Sequence, residues 1–154
     1  MRHRQVIAVL ALAGLFVALY LYLYKIGVYG ELKCGTGGCE VVQASPYAVL
    51  LGQPVALYGV LGYAALFAVC LIGLHPRFAA QRWPTTALAV MATLGFAFTA
   101  YLTGLEAFVI HAWCEWCLGS ATMVLILFVL ALLDWRGVRA DGGLDALADE
   151  PTLS

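Results

Sequence analysis

Four runs of mostly apolar residues, Val6 to Tyr24, Val55 to Leu74, Thr85 to Leu105 and Cys114 to Leu133, constrain what this chain of 154 residues folds into. About 20 such residues form one α-helix long enough to cross the hydrocarbon core of a bilayer. Inside lipid a segment must satisfy its backbone N–H and C=O groups internally, so each run is expected to be a spanning helix. Composition agrees, with 64% of residues hydrophobic and 11% charged, far from an ordinary soluble domain. The expected fold class is therefore all-α, an integral membrane bundle of four transmembrane helices over residues 1–135, with little chain left for a second domain. A net charge of −1 and the lack of a basic stripe interleaved with aromatics set nucleic-acid binding aside. The start, Met-Arg-His-Arg-Gln, resembles the positive end of a secretory signal. The apolar run behind it has full spanning length, however, and Leu21-Tyr-Leu-Tyr-Lys25 offers no small-residue cleavage site, so it is read as the first helix.

Cytoplasmic flanks retain Lys and Arg. With four spans, Arg2, Arg4, Arg77, Arg82, Arg136 and Arg139 gather on one side and only Lys25 and Lys33 on the other. Both termini and the His75 to Pro84 loop are expected in the cytoplasm. The segment 25–54, rich in glycine, then forms an extracytoplasmic loop. Within it, Ser45-Pro46 has the pattern of an N-cap followed by proline at the first helical position, with Gly52 and Pro54 as stops, which predicts a short interfacial helix from Pro46 to Leu51. Residues 136–154, with Asp141, Asp145, Asp149 and Glu150 among Gly, Ala and Pro, read as a disordered cytoplasmic tail.

Four of the five cysteines fall at the outer side. Cys34-Gly-Thr-Gly-Gly-Cys39 lies in the first outer loop, and Cys114-Glu-Trp-Cys117 opens the last helix. Two residues between cysteines at a helix start put both sulfurs on one face, the first near unsatisfied backbone N–H groups that favour thiolate. Glycines between Cys34 and Cys39 give that pair the flexibility to close on itself or reach another disulfide, and the outer compartment is where disulfides persist. Thiol–disulfide exchange between the pairs is one chemistry this arrangement suits. A structural disulfide, a tetrahedral zinc site or plain apolar packing of the helix pair are others. Cys70, near the opposite end of its helix, is most simply a small core residue.

The ordered set Cys34…Cys39, then Ser45, then Gly59 and Tyr63 in the second span, then Cys114-x-x-Cys117 resembles the vitamin K epoxide reductase family over roughly residues 5–135. The resemblance includes bacterial members that act like DsbB in disulfide formation; DsbB itself has its C-x-x-C in the first outer loop and its other pair in the second, so the order here favours the epoxide reductase type. The resemblance implies a quinone-dependent membrane thiol oxidoreductase, working in the inner (plasma) membrane with a separate DsbA-like, thioredoxin-fold partner because no fused thioredoxin domain is expected. By the family's mechanism Cys34 exchanges with the partner, Cys39 attacks Cys114, and Cys117 faces a quinone of the menaquinone or ubiquinone type, with no metal. Ser45 resembles the family's loop serine. The Asn and Tyr with which vertebrate members hold the quinone fall at Val55 and Ala121 here, which argues against epoxide reduction. Tyr58, Tyr63 and His111 are the further candidates for the quinone site, each also explicable as packing or surface residues. The rival function is a non-enzymatic membrane protein whose cysteines are structural or bind metal.

Overall fold

The computed structural model describes residues 2–35, 37–78 and 81–148. Its helices are α1 (Arg2–Lys25), α2 (Gly38–Ala44), α3 (Val55–Leu74), α4 (Trp83–Leu105) and α5 (Glu115–Ala148). The four long ones are each apolar and long enough to cross a membrane, so the chain is a multi-pass membrane protein of the expected class. Their outward faces carry exposed Phe16, Leu61 and Leu94, as lipid permits, while Ile7, Ala11, Leu66, Leu88 and Leu127 fill the bundle. Small residues let α1 and α3 approach closely. A Cβ added to Gly14 would lie 2.2 Å from the Tyr63 ring, and one on Gly59 would lie 3.3 Å from Ala18.

One end of the bundle is tied by Arg4. Its guanidinium pairs with Asp134 on α5 at 3.1 Å, donates to the Gly73 carbonyl of α3 at 2.8 Å and to the Thr85 hydroxyl of α4 at 2.6 Å. A single side chain of α1 thus reaches all three other long helices. The fully buried Cys70 donates its thiol to the Arg4 carbonyl at 3.1 Å, placing it with this knot and away from the other cysteines.

Three local features differ from expectation. The outer loop carries its helix earlier, as α2, because the chain folds into a helical turn directly at Cys39. Only a 3₁₀ turn, Pro46–Ala48, occupies the expected interfacial helix. Next comes a two-residue hairpin, β1 (Val49–Leu50) paired antiparallel with β2 (Gln53–Pro54), turning through Leu51 at φ 54° and Gly52 at φ 78°. Positive φ at both central residues is what such a turn needs, and the exposed Leu51 takes it without glycine's help. Finally, α5 continues through residues 136–148, where disorder was expected, because no proline intervenes and Arg139 stacks on Trp135 one turn back, at 4.2 Å. Residues 149–154 of that tail lie outside the described residues.

Candidate functional site

At the other end of the bundle the outer loop folds down on the start of α5. Cys34 and Cys39 are joined as a disulfide with Cα atoms 6.1 Å apart. Hydrogen bonds fasten the loop on both sides of Cys34. The Trp116 indole donates to the Lys33 carbonyl at 2.8 Å, and the Gly35 N–H donates to the Glu115 carboxylate at 3.1 Å. Gly38 completes the docking, since a Cβ there would lie 2.2 Å from the Trp113 carbonyl oxygen. Only glycine lets the backbone beside Cys39 come this close to the backbone beside Cys114. The loop expected to be flexible is thereby seated against α5. Cys39 and Cys114, both fully buried, share one apolar cluster with Leu21, Leu32 and Val42, while Cys34 keeps partial exposure.

Cys114 immediately precedes the first turn of α5, and its sulfur accepts the Cys117 N–H at 3.3 Å. The thiol is held below the ordinary cysteine range, first by a hydrogen bond from the Cys117 thiol and further by backbone N–H groups at the helix start. These outweigh burial and the nearby Glu106 charge, which act the other way. Glu106 itself opens a π-helical turn, Glu106–Ile110, that prolongs α4. Such turns recur at functional sites. Its side chain is only 4% exposed. It accepts the Cys114 N–H at 3.2 Å and also meets the Cys117 thiol.

Cys117 looks into a cavity of about 420 Å³ whose walls are almost wholly apolar. The polar groups along it include Gln43, Ser45, Tyr58, Tyr63 and Glu106. Several are already engaged. The Tyr63 hydroxyl bonds Ser120, the Tyr58 hydroxyl donates to the Leu50 carbonyl at 3.0 Å, and the Ser45 hydroxyl donates to the Val42 carbonyl at 2.7 Å, closing α2 rather than capping the 3₁₀ turn. The Gln43 amide faces the Cys117 sulfur at 4.0 Å, and its backbone carbonyl receives the Lys25 ammonium. An apolar cavity of this size with a few inward polar groups suits a small aromatic ring system such as a quinone head.

The structure therefore brings together Cys34, Cys39, Cys114, Cys117, Ser45, Tyr58 and Tyr63 at one end. His111 lies apart from the cavity, exposed, in the left-handed conformation at φ 56° with its ring bonded to the Val109 carbonyl. Val55 lines the cavity and offers it no hydrogen bond. Two residues escaped the sequence reading. Gln43 follows Cys39 by four residues, a spacing that shares a face only once α2 is known to be a helix. Glu106 carried a plainer signal, an acid within a 28-residue apolar segment. Among the described residues, no three of the His, Cys, Asp and Glu side chains are grouped to hold a metal ion. Compared with known families, residues 5–132 match the model described as the vitamin K epoxide reductase family, a stretch that takes in all four cysteines of this site.

Proposed function

The chain belongs to the vitamin K epoxide reductase family and is a membrane thiol–disulfide oxidoreductase; from that premise we propose that it reoxidises a thioredoxin-fold protein outside the cytoplasm and delivers the electrons to a membrane quinone. The partner's dithiol exchanges with the Cys34–Cys39 disulfide, the reduced loop pair exchanges with Cys114–Cys117, and the inner pair reduces the quinone. The observation that carries this reading is the gradient of exposure along the four sulfurs. Partial exposure at Cys34 suits a protein partner, full burial of Cys39 and Cys114 in one cluster suits transfer between pairs, and Cys117 opens on the cavity.

Each exchange is an attack by a thiolate on a disulfide sulfur, so what these residues must supply is a stable thiolate and a short approach. The hydrogen bonds to Cys114 favour its anion and so stabilise the reduced inner pair. Gly38 and the Trp116 and Glu115 tethers hold the approach. A quinone bound in the cavity would supply the oxidant, with the Gln43 amide as the wall donor nearest Cys117, and with Ser45, Tyr58 and Tyr63 reaching its carbonyls by exchanging their present hydrogen-bond partners. The gathering of Arg residues at the far end of the bundle supports an orientation with this end outside and both termini in the cytoplasm; the membrane proposed is the plasma membrane.

The test uses purified protein, a reduced thioredoxin-fold protein and a short-chain quinone. Cys34→Ala and Cys117→Ala are each expected to abolish partner-driven quinone reduction. Cys34→Ala, its inner pair reduced beforehand with a phosphine, still reduces quinone in a single turnover, and Cys117→Ala does not. Full activity in Cys117→Ala would discard the proposal.

A further inference from the structure

Closing the Cys114–Cys117 disulfide breaks two S–H bonds and makes one S–S bond. The two electrons and two protons released convert one quinone to its hydroquinone, which gains two O–H bonds. The electrons have a path through Cys117, which faces the cavity. The protons need one too, because an apolar cavity holds no bulk water to carry them. The hydroquinone takes up two protons in place of the two that the thiols give up; Cys114, held toward its thiolate by the Cys117 thiol and by N–H groups at the helix start, parts with its proton the more easily. The Cys117 proton leaves during the transfer.

One group touches both the donor of that proton and the space where it is consumed. Glu106 meets the Cys117 thiol and lines the cavity. An ionisable side chain within a spanning segment is costly to keep there, and one without a counter-ion is rarely a packing device. Among the described residues, the ion pair of this chain is the distant Arg4–Asp134, and no cation pairs with Glu106. Packed against its turn, α4 has no charged residue from Trp83 to Leu105, α2 offers the exposed Glu40 and the disulfide-bonded Cys39, and α5 offers Glu115, exposed and bonded to Gly35. The Lys25 ammonium is bound to the Gln43 carbonyl. The titratable groups on Glu106 are thus the two thiols of the inner pair.

Resting on the quinone reading above, we propose that Glu106 is the catalytic acid–base of the inner site: its carboxylate takes the Cys117 proton as the disulfide forms and passes it to a quinone oxygen in the cavity. The bond to the Cys114 N–H fixes the carboxyl in place for this exchange.

The experiment compares the Glu106, Glu106→Gln and Glu106→Asp proteins, all carrying Cys34→Ala, Cys39→Ala and Cys70→Ala so that the inner pair supplies the titrating thiols. Two quantities are read: the single-turnover rate of reduced protein with a short-chain quinone, and, without quinone, the pH midpoint of thiolate ultraviolet absorption. General acid–base catalysis is worth about 10²–10⁴-fold, so Glu106→Gln is expected to slow the quinone step by about 100-fold. Its thiolate midpoint is expected to fall, since the Glu106 charge that disfavours the Cys114 anion is gone. More thiolate with slower reduction is the signature of a lost proton path. A glutamate that merely accepted the Cys114 N–H would be replaced by glutamine without loss of rate. Glu106→Asp, which keeps the acid, is expected between the other two. A Glu106→Gln protein as fast as the Glu106 one, or an aspartate variant no faster than the glutamine one, overturns the role of Glu106 and leaves the quinone reading standing. Wild-type protein that passes no electrons to quinone overturns both.

Discussion

The two ends of this bundle are built from nearly the same parts and do opposite things. Each has a buried cysteine and a carboxylate within the helices. At the Arg4 end the carboxylate of Asp134 is paired, with side chains only 12% and 17% exposed, and two more of the guanidinium's donors go to Gly73 and Thr85. Cys70 there bonds to the backbone of α1, its thiol donating to the Arg4 carbonyl. At the loop end the carboxylate of Glu106 has an N–H and a thiol for partners, and a cavity beside it. A neutralised charge whose partners come from all the other long helices makes a clasp. A carboxylate that no cation pairs among the described residues, next to a thiol and an open cavity, is suited to the proposed movement of protons and electrons.

That contrast can be broken at three points beyond Glu106. The largest effect is expected from Arg4→Ala, which leaves the Asp134 charge uncompensated; breaking a buried pair in this way costs about 3 kcal/mol. Thermal unfolding in detergent should show the loss, while quinone reduction per folded molecule stays at the wild-type level. A large drop in that specific rate would mean the two ends are not separable. Next comes Gly38→Ala, whose added methyl meets the Trp113 carbonyl. Crowding of about 1–3 kcal/mol displaces Cys39 from Cys114, expected as roughly tenfold slower transfer between the pairs in rapid-quench trapping, with quinone reduction by the inner pair preserved. Unchanged inter-pair transfer would show that the close approach is dispensable. Cys70→Ala is the smallest, about 1 kcal/mol for one hydrogen bond, with turnover unaltered; altered turnover would put this thiol in the redox path.

Most of the fold was legible because hydropathy is a strong signal in a chain that lives in lipid: the four long helices fall where the apolar runs do. What was missed lies where that signal is absent. Helix α2 is seven residues long and starts among glycines, too short to show periodicity. The hairpin turns on Leu51, a residue no turn preference would select. The last helix outruns its apolar stretch because helix propagation continues until something stops it, and Gly137 was not enough. At the site the cysteine spacings were readable, since sulfur chemistry requires pairs. Which of their neighbours matter was not, because Glu106 and Gln43 reach Cys117 only after α2 has docked and α4 has lengthened through its π-helical turn.

The complete burial of Cys39 and Cys114 bears on fidelity as much as on transfer. Small thiols and oxidants dissolved in the surrounding fluid meet a sulfur at either terminus of the sequence of four, never at its middle. On the proposed route, wiring insulated along its centre would not leak to bystanders midway, so electrons entering through a protein partner would reach the far contact or leave by the way they came.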